Sequence, residues 1–453
     1  VAGLDERALV TPANAVRSRS MPPPEVRLGP GFRREDGHAW VVVLVLVVTL
    51  ATTAHAKEMW SSTDGAWAWD VGGFVKSQTL GLDYDGLDAW KLLAGADRAA
   101  EQTLRARLGS DLAWGDARLV VEGEARALLD SKGWLSQASA TGFGATTSRP
   151  RLWDPEPWGG DGVTVQPDLD RAFVGVALGP VDLTLGRQAV SWGSAWFWKP
   201  TDRFGPFSPT DVDPDVKRGV DAARAQVYLG PDTSLDLLAT FERHPGTGRS
   251  FWAHGGARLR STFEAFDAAV SLARFQGSAE GDWMAGAEVS GALGDVGLRG
   301  EVAVNVGEDS RRVDVEAVLG ADYRLPFDLH LAAEAFYNGY GAAHADEYAA
   351  FLMDPARSER LTRGESFALG RYYAGLTADQ QLHPLVHLVV GALGNLGDPS
   401  TLLMAGLRWA VLQDARLSLG ALVPVGRRPE GLAARSEYGS MPLAGYGVLK
   451  VSF

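Results

Sequence analysis

The 453-residue sequence contains no cysteine, which excludes disulfide staples and thiolate metal sites. Beyond residue 56 no apolar run approaches the roughly 18 residues that a spanning helix needs. With 22% charged and 46% hydrophobic residues, the chain is too polar for a bundle of such helices. No G-x-S-x-G motif is present, and His244 and His254 stand without an obvious nucleophile and acid beside them, so the chain does not read as an enzyme. An excess of positive charge is missing too. The formal net charge is −13, and residues 1–56 hold six Arg against five Asp or Glu, which leaves the remainder near −14. That balance argues against a nucleic-acid partner. No cofactor and no metal are expected.

The N-terminus carries a targeting pattern. Arg33 and Arg34 precede the apolar run 40–53, and Ala54-His55-Ala56 follows as a small-residue cleavage site before Lys57. A basic flank, a short apolar core and an A-x-A site describe a secretory signal peptide. Residues 1–56 are therefore expected to be a leader and signal peptide that is removed, with Met21 as an alternative start, and 57–453 a single domain.

From Lys57 onward, segments of about ten to fourteen alternating residues are separated by breaks, and about eighteen such segments can be counted. Breaks near 115, 180, 231, 263, 294, 325, 380 and 413 are short, whereas 80–98, 130–167, 193–219, 244–253, 341–365 and 424–442 are long. In 312–324, Val313, Val315, Ala317 and Leu319 oppose Arg312, Asp314, Glu316, Asp322 and Arg324. In 403–411, Leu403, Leu407 and Trp409 oppose Arg408. An apolar face backed by charges of both signs fits a lipid exterior around a wet interior. The expected fold is an all-β transmembrane antiparallel barrel of sixteen to eighteen strands, eighteen by count, with long extracellular loops. It lies in the bacterial outer membrane, in contact with its lipid. The last segment ends on Phe453 in the parity of Leu449 and Val451. That ending resembles the signal read by the barrel insertion machinery, which is thereby an expected partner.

One stretch stands apart. Between alternating segments, 193–219 crowds Trp196, Phe197, Trp198, Phe204 and Phe207 with Lys199, Asp202, Arg203, Asp211, Asp213, Asp215, Lys217 and Arg218. Its prolines limit unfolded freedom and favour one ordered shape. By the count of turns it is the third extracellular loop. Trp196, Trp198, Lys199, Asp202, Arg203, Asp211, Asp213, Asp215 and Arg218 are the candidates for a pore constriction, where charges of both signs would set a transverse field. Gly186-Arg187-Gln188, Trp192-Gly193, Pro200-x-Asp202 and Phe207-x-Pro209 together resemble a signature of uncharacterised porin-like outer-membrane proteins. The resemblance implies a barrel with a transport role; it does not separate import from export.

The wall charges expected to face the lumen are Arg105, Arg107, Glu122, Glu124, Arg299, Glu301, Asp314, Glu316, Arg324 and Arg408, with Arg105 and Arg107 near Glu122 and Glu124 across the turn at 115. Their near-balance argues against a strongly anion-selective pore. Asp211-x-Asp213-x-Asp215 lacks the Gly and bidentate Glu of an EF-hand loop and reads as a solvated acidic turn. His383 and His387, four apart, are expected on one face of one strand as wall residues. The expected role is passive or weakly selective diffusion of small hydrophilic solutes. The alternative is a barrel that binds, assembles or exports surface polysaccharide. Oligomeric state is not legible, because lipid-facing and partner-facing apolar residues look alike.

Overall fold

The computed structural model describes residues 57–62, 66–130, 151–160, 163–211, 216–243, 251–431 and 433–453. The leader and signal peptide expected over 1–56 lie outside them. Eighteen strands form the wall. They are β1 (Trp67–Asp83), β2 (Arg98–Trp114), β3 (Ala117–Asp130), β4 (Val163–Leu178), β5 (Val181–Gln188) and β6 (Val220–Tyr228). Next come β7 (Thr233–Arg243), β8 (Phe251–Phe263), β9 (Phe266–Phe275), β10 (Asp282–Leu293), β11 (Val296–Gly307) and β12 (Val313–Leu325). The last six are β13 (Leu329–Asn338), β14 (Tyr372–His383), β15 (Val386–Asn395), β16 (Ser400–Ala410), β17 (Ala415–Val425) and β18 (Leu443–Ser452).

Every strand pairs antiparallel with its neighbours, and β1 pairs with β18 from Phe74↔Ser452 to Asp83↔Leu443, so the sheet closes. Closure removes the free edges that an open sheet would present. Phe453 completes the seam by exchanging two backbone hydrogen bonds with Gly73. Two short strands, Lys57–Ser61 and Trp158–Gly160, pair onto β1 and β4 without joining the wall. Turns of two to four residues join the strands at one end and the longer loops lie at the other.

Alternation sorts the wall into two faces. Leu319 is 73% exposed on the outside, whereas its neighbour Val318 is 1% exposed on the inside. Leu185, Val270, Leu376 and Leu419 continue the exposed apolar belt. Glu301, Asn305, Glu316 and Glu334 lie buried on the inner side. Among the described residues no helix is long and apolar enough to cross a membrane, so only strands can span one.

Three features depart from expectation. The break expected near 380 is strand: Asp379 to Gln381 stay paired in β14, and the turn falls at Pro384-Leu385. A run of polar residues looked like a turn, but proline, which lacks the ladder N–H, sets the boundary. His383 and His387 consequently sit on different strands, where His387 Nδ1 lies 3.2 Å from Asp379. Finally, the loops hold short helices, α1 (Asp88–Ala94), α2 (Tyr348–Met353) and α3 (Pro355–Thr362). Asp354 caps α3 by accepting from the N–H groups of Ala356 and Arg357.

Candidate functional site inside the barrel

The stem of the third loop is stapled shut by side chains of β5 and β6. Arg187 and Asp221 face each other in register, and the guanidinium Nε donates to the carboxylate at 2.7 Å. The same guanidinium donates to the carbonyl of Leu169 at 2.9 Å, and the Gln188 amide donates to Ala222 O at 3.3 Å. Gly186, at φ +118°, is where the strand comes so close to β4 that a Cβ would meet Ala172 O at 2.2 Å. Each residue of the Gly-Arg-Gln triplet thus serves the stem. A β-bulge in β4 adds a further anchor. Opposite Glu122 and Gly123 the register slips past Asp170, so Asp170 and Arg171 both point inward. Asp170 accepts from Gly219 N–H at 3.0 Å and from Arg107 at 2.6 Å, and Arg151 donates to Gly219 O at 2.7 Å.

Between these anchors the loop runs along the inner wall from β7 to β14. Its backbone N–H groups find acceptors on two inward carboxylates near mid-strand. Glu301 of β11 accepts from Ser194 and, at 2.6 Å, Ala195. Glu334 of β13 accepts from Trp196 and, at 2.7 Å, Phe197. Glu301 also accepts the Thr201 hydroxyl at 3.0 Å. Gly193, at φ +81°, permits this approach: a Cβ there would sit 3.0 Å from the Glu301 oxygens. The Pro200 turn is closed by a hydrogen bond from Asp202 N–H to Lys199 O at 3.0 Å. Charge-assisted bonds to buried backbone donors are among the stronger polar contacts, and a buried donor left without one costs about 1–3 kcal/mol.

Aromatic side chains fill what the polar contacts leave. Trp192 packs edge-on to Phe204, with ring centroids 4.9 Å apart, and donates from its indole nitrogen to Asp236 at 3.2 Å. Phe204 meets Phe275 of β9 at 5.2 Å. Trp198 stacks on Phe336 at 5.3 Å and tilts against Tyr373 at 5.7 Å.

The constriction candidates divide by burial. Trp198, Asp202 and Arg203 are buried, Lys199, Asp211 and Arg218 half-buried, and Trp196 exposed, with the Arg299 guanidinium 4.7 Å over its ring. Asp213 and Asp215 lie outside the described residues. Asp202 pairs with Lys217 inside the loop, and Arg218 lies 3.8 Å from Asp168. Arg203 reaches Asp282 at 2.8 Å and Glu365 of the seventh loop. Burial alone would lower the Arg203 pKa, but the Asp282 and Glu365 carboxylates outweigh it and raise it. Glu365, equally buried, is held well below the usual carboxylate range by Arg203, Arg363 and Arg360.

On the wall, Arg105 donates to Glu124 at 2.7 Å, and Arg107 pairs with Glu122. Arg299 pairs with Asp322 at 2.7 Å, and Asp314 accepts from Arg312 at 3.0 Å. Glu316 accepts from Arg360 of α3 at 2.9 Å. Arg324 lies 3.7 Å from Asp328 by a short turn, and Arg408 of β16 stands exposed opposite His387 and Ser418. Alternation with Ala333 and Ala335 reads Glu334 as an inward wall charge, but nothing in that pattern pairs it with the amides of the third loop. Asp170 carried no such signal, because a bulge breaks the alternation that would have revealed it.

A second polar cluster lies at the end that carries the long loops. Glu437 of the ninth loop (426–442) accepts from the Tyr373 hydroxyl and, at 2.7 Å, Asn395; Asp398 accepts from Tyr348 at 2.6 Å and from Glu437 N–H. Burial pushes the Glu437 carboxyl up to about 7, against the hydrogen bonds from Tyr373, Leu369 and Asn395 that lower it.

No known protein family matches the chain, and no curated protein matches it in sequence. Solved structures match its fold. OccK8 (OprE) of Pseudomonas aeruginosa aligns with a TM-score of 0.52 at 6% identity, over 85% of this chain and 98% of its own. OccAB1 of Acinetobacter baumannii aligns with a TM-score of 0.51 at 7% identity, over 88% and 98%. The closed barrel and its apolar outer belt leave one environment for this chain. It is an outer-membrane β-barrel.

Proposed function

We propose that this barrel is a channel for passive or weakly selective diffusion of small hydrophilic solutes across the outer membrane, with its third loop as the constriction. The observation that carries this reading is the seating of that loop on Glu301 and Glu334, two inward carboxylates near mid-strand. A segment bonded there narrows the path of any solute. Charged pairs on the inner face keep that path wet. The test is single-channel conductance in planar bilayers: absence of any step above baseline overturns the channel reading. Replacing 196–209 with a short Gly-Ser linker is expected to raise the conductance. Unchanged conductance overturns the constriction.

A second reading, contact with surface polysaccharide, draws on Trp153 and Trp158 of the second outer loop, both more than half exposed. Retention of the barrel on immobilised capsular glycan, lost on changing both to Ala, would support it. Phe453 serves this reading and the first equally, as the end of the strand that the insertion machinery would engage. Its deletion is expected to lower the yield of assembled barrel.

A further inference from the structure

We infer that Trp196 is the floor of a saccharide subsite in the lumen, where a pyranose ring lies on the free face of the indole and Arg299, Asp322 and His330 take the ring hydroxyls. The inference rests on the channel reading above and names its solute class.

The aromatic residues of the third loop are not used alike. Trp192, Trp198 and Phe204 are buried in packing, whereas Trp196 is 45% exposed. The Trp196 backbone N–H is bonded to Glu334 on the inner wall, so the exposed surface belongs to the lumen. Its ring centroid lies 5.6 Å from that of His330, four residues nearer the Pro326 turn than Glu334. The Arg299 guanidinium lies 4.7 Å over the same indole. Two hydrogen bonds fix it there, one to Ser194 O at 3.0 Å and one to Asp322 at 2.7 Å. His330 Nε2 lies 3.1 Å from the other Asp322 oxygen. With one face under Arg299, the exposed area falls to the other face and the ring edge.

The chemistry of this surface selects its occupant. An indole face carries the negative side of the ring quadrupole. A second cation is a poor occupant, because Arg299 already sits on that quadrupole and repels like charge. A pyranose presents C–H groups on one face, slightly positive but without net charge, and hydroxyls around its rim. A hydroxyl both donates and accepts, so it can donate to Asp322 and accept from Arg299 or His330. Each of these three side chains keeps 18–20% of its surface exposed, which leaves room for a rim hydroxyl to reach it. A flat aromatic solute covers the indole equally well, but it shields the three polar groups from water without bonding them, which costs free energy.

The test is block of the single-channel current in planar bilayers by three probes. D-glucose offers a ring face, sorbitol a similar set of hydroxyls without a ring, and L-phenylalanine an aromatic face without hydroxyls. Glucose is expected to reduce the current saturably, and sorbitol only as far as it lowers the conductivity of the bulk solution. In Trp196→Ala the half-blocking glucose concentration is expected to rise about tenfold, and in Trp196→Phe by less. Asp322→Asn, which leaves the indole in place, is an independent variant expected to weaken the block as well. Equal effects of glucose and sorbitol, in a wild-type barrel that shows conductance steps, overturn this inference and leave the channel reading intact. Glucose block that persists undiminished in both Trp196→Ala and Asp322→Asn also overturns it, and so does block by phenylalanine alone, which assigns the indole to aromatic solutes. Absence of conductance steps, even with 196–209 replaced, overturns the channel reading itself.

Discussion

The two sides of this lumen hold the same loop by different means. Toward β7–β13 the third loop is bound through its backbone, with Glu301 and Glu334 accepting four N–H groups and Arg203 reaching Asp282. Toward β13 and β14 it is held by side-chain packing as well, with Trp198 stacked on Phe336 and tilted against Tyr373. Backbone hydrogen bonds depend on chain geometry and tolerate changes in the loop's own side chains. Packing depends on one indole. The first kind of contact fixes where the loop lies, and the second fixes where that indole lies.

Removing that indole is the strongest way to break the comparison. Trp198→Ala is expected to cost about 3–5 kcal/mol of local packing. It should raise hydrogen exchange in 194–201 while global unfolding by urea shifts less; unchanged exchange would show that the apolar side holds nothing.

The outer end of the apolar side can be probed by pH. Glu437 is held protonated up to about 7 against an ordinary value of 4.5, with Asp398, Tyr348, Tyr373 and Tyr438 around it. The folded network therefore binds more protons than the released loop between those two values. Its stabilisation is full below pH 4.5 and is lost as pH rises through 7, a change of about 3 kcal/mol. Protease cleavage within 426–442 is expected to be faster at pH 8 than at pH 5, and Glu437→Gln to flatten the difference. Faster cleavage at pH 5 would reverse the sign and refute this account.

On the charged side, Glu334→Ala leaves the Trp196 and Phe197 amides without their acceptor, at about 1–3 kcal/mol. Channel noise from a loosened loop is the expected readout, with mean conductance raised. Arg118 and Asp111, a pair of β3 and β2 near the turn at 115, mark the lower bound: the Arg side chain is 59% exposed. Arg118→Ala is expected to cost at most about 1 kcal/mol in urea unfolding, because solvent and salt screen such pairs. A larger loss would mean that the charged wall contributes more than bracing.

How much was readable in advance follows from the range of the interactions involved. Alternation is local, so strand number and the inward side of Glu301 or the outward side of Leu319 could be read directly. A polar run interrupts alternation without ending a strand, which is why Asp379–Gln381 misled and Pro384 did not. The bulge at Asp170 hid a residue from the period-two pattern altogether. Burial of Asp202 and Arg203 was equally illegible, because their partners Lys217, Asp282 and Glu365 come from three separate parts of the chain.

The sequence by itself determined that this chain closes into a barrel with an apolar outside and placed an aromatic, charged loop between β5 and β6. Period-two patterning needs only neighbouring residues, and a sheet that must satisfy every backbone group in lipid has no other way to end. Only the tertiary structure decided where that loop rests, since Glu334 lies 137 residues from Phe197, whose amide it accepts. It also decided where an apolar cluster forms against the inner wall. Leu393, Leu402, Leu422 and Leu82 come from four strands, among ordinary alternating residues, and they become one cluster only when the register aligns them.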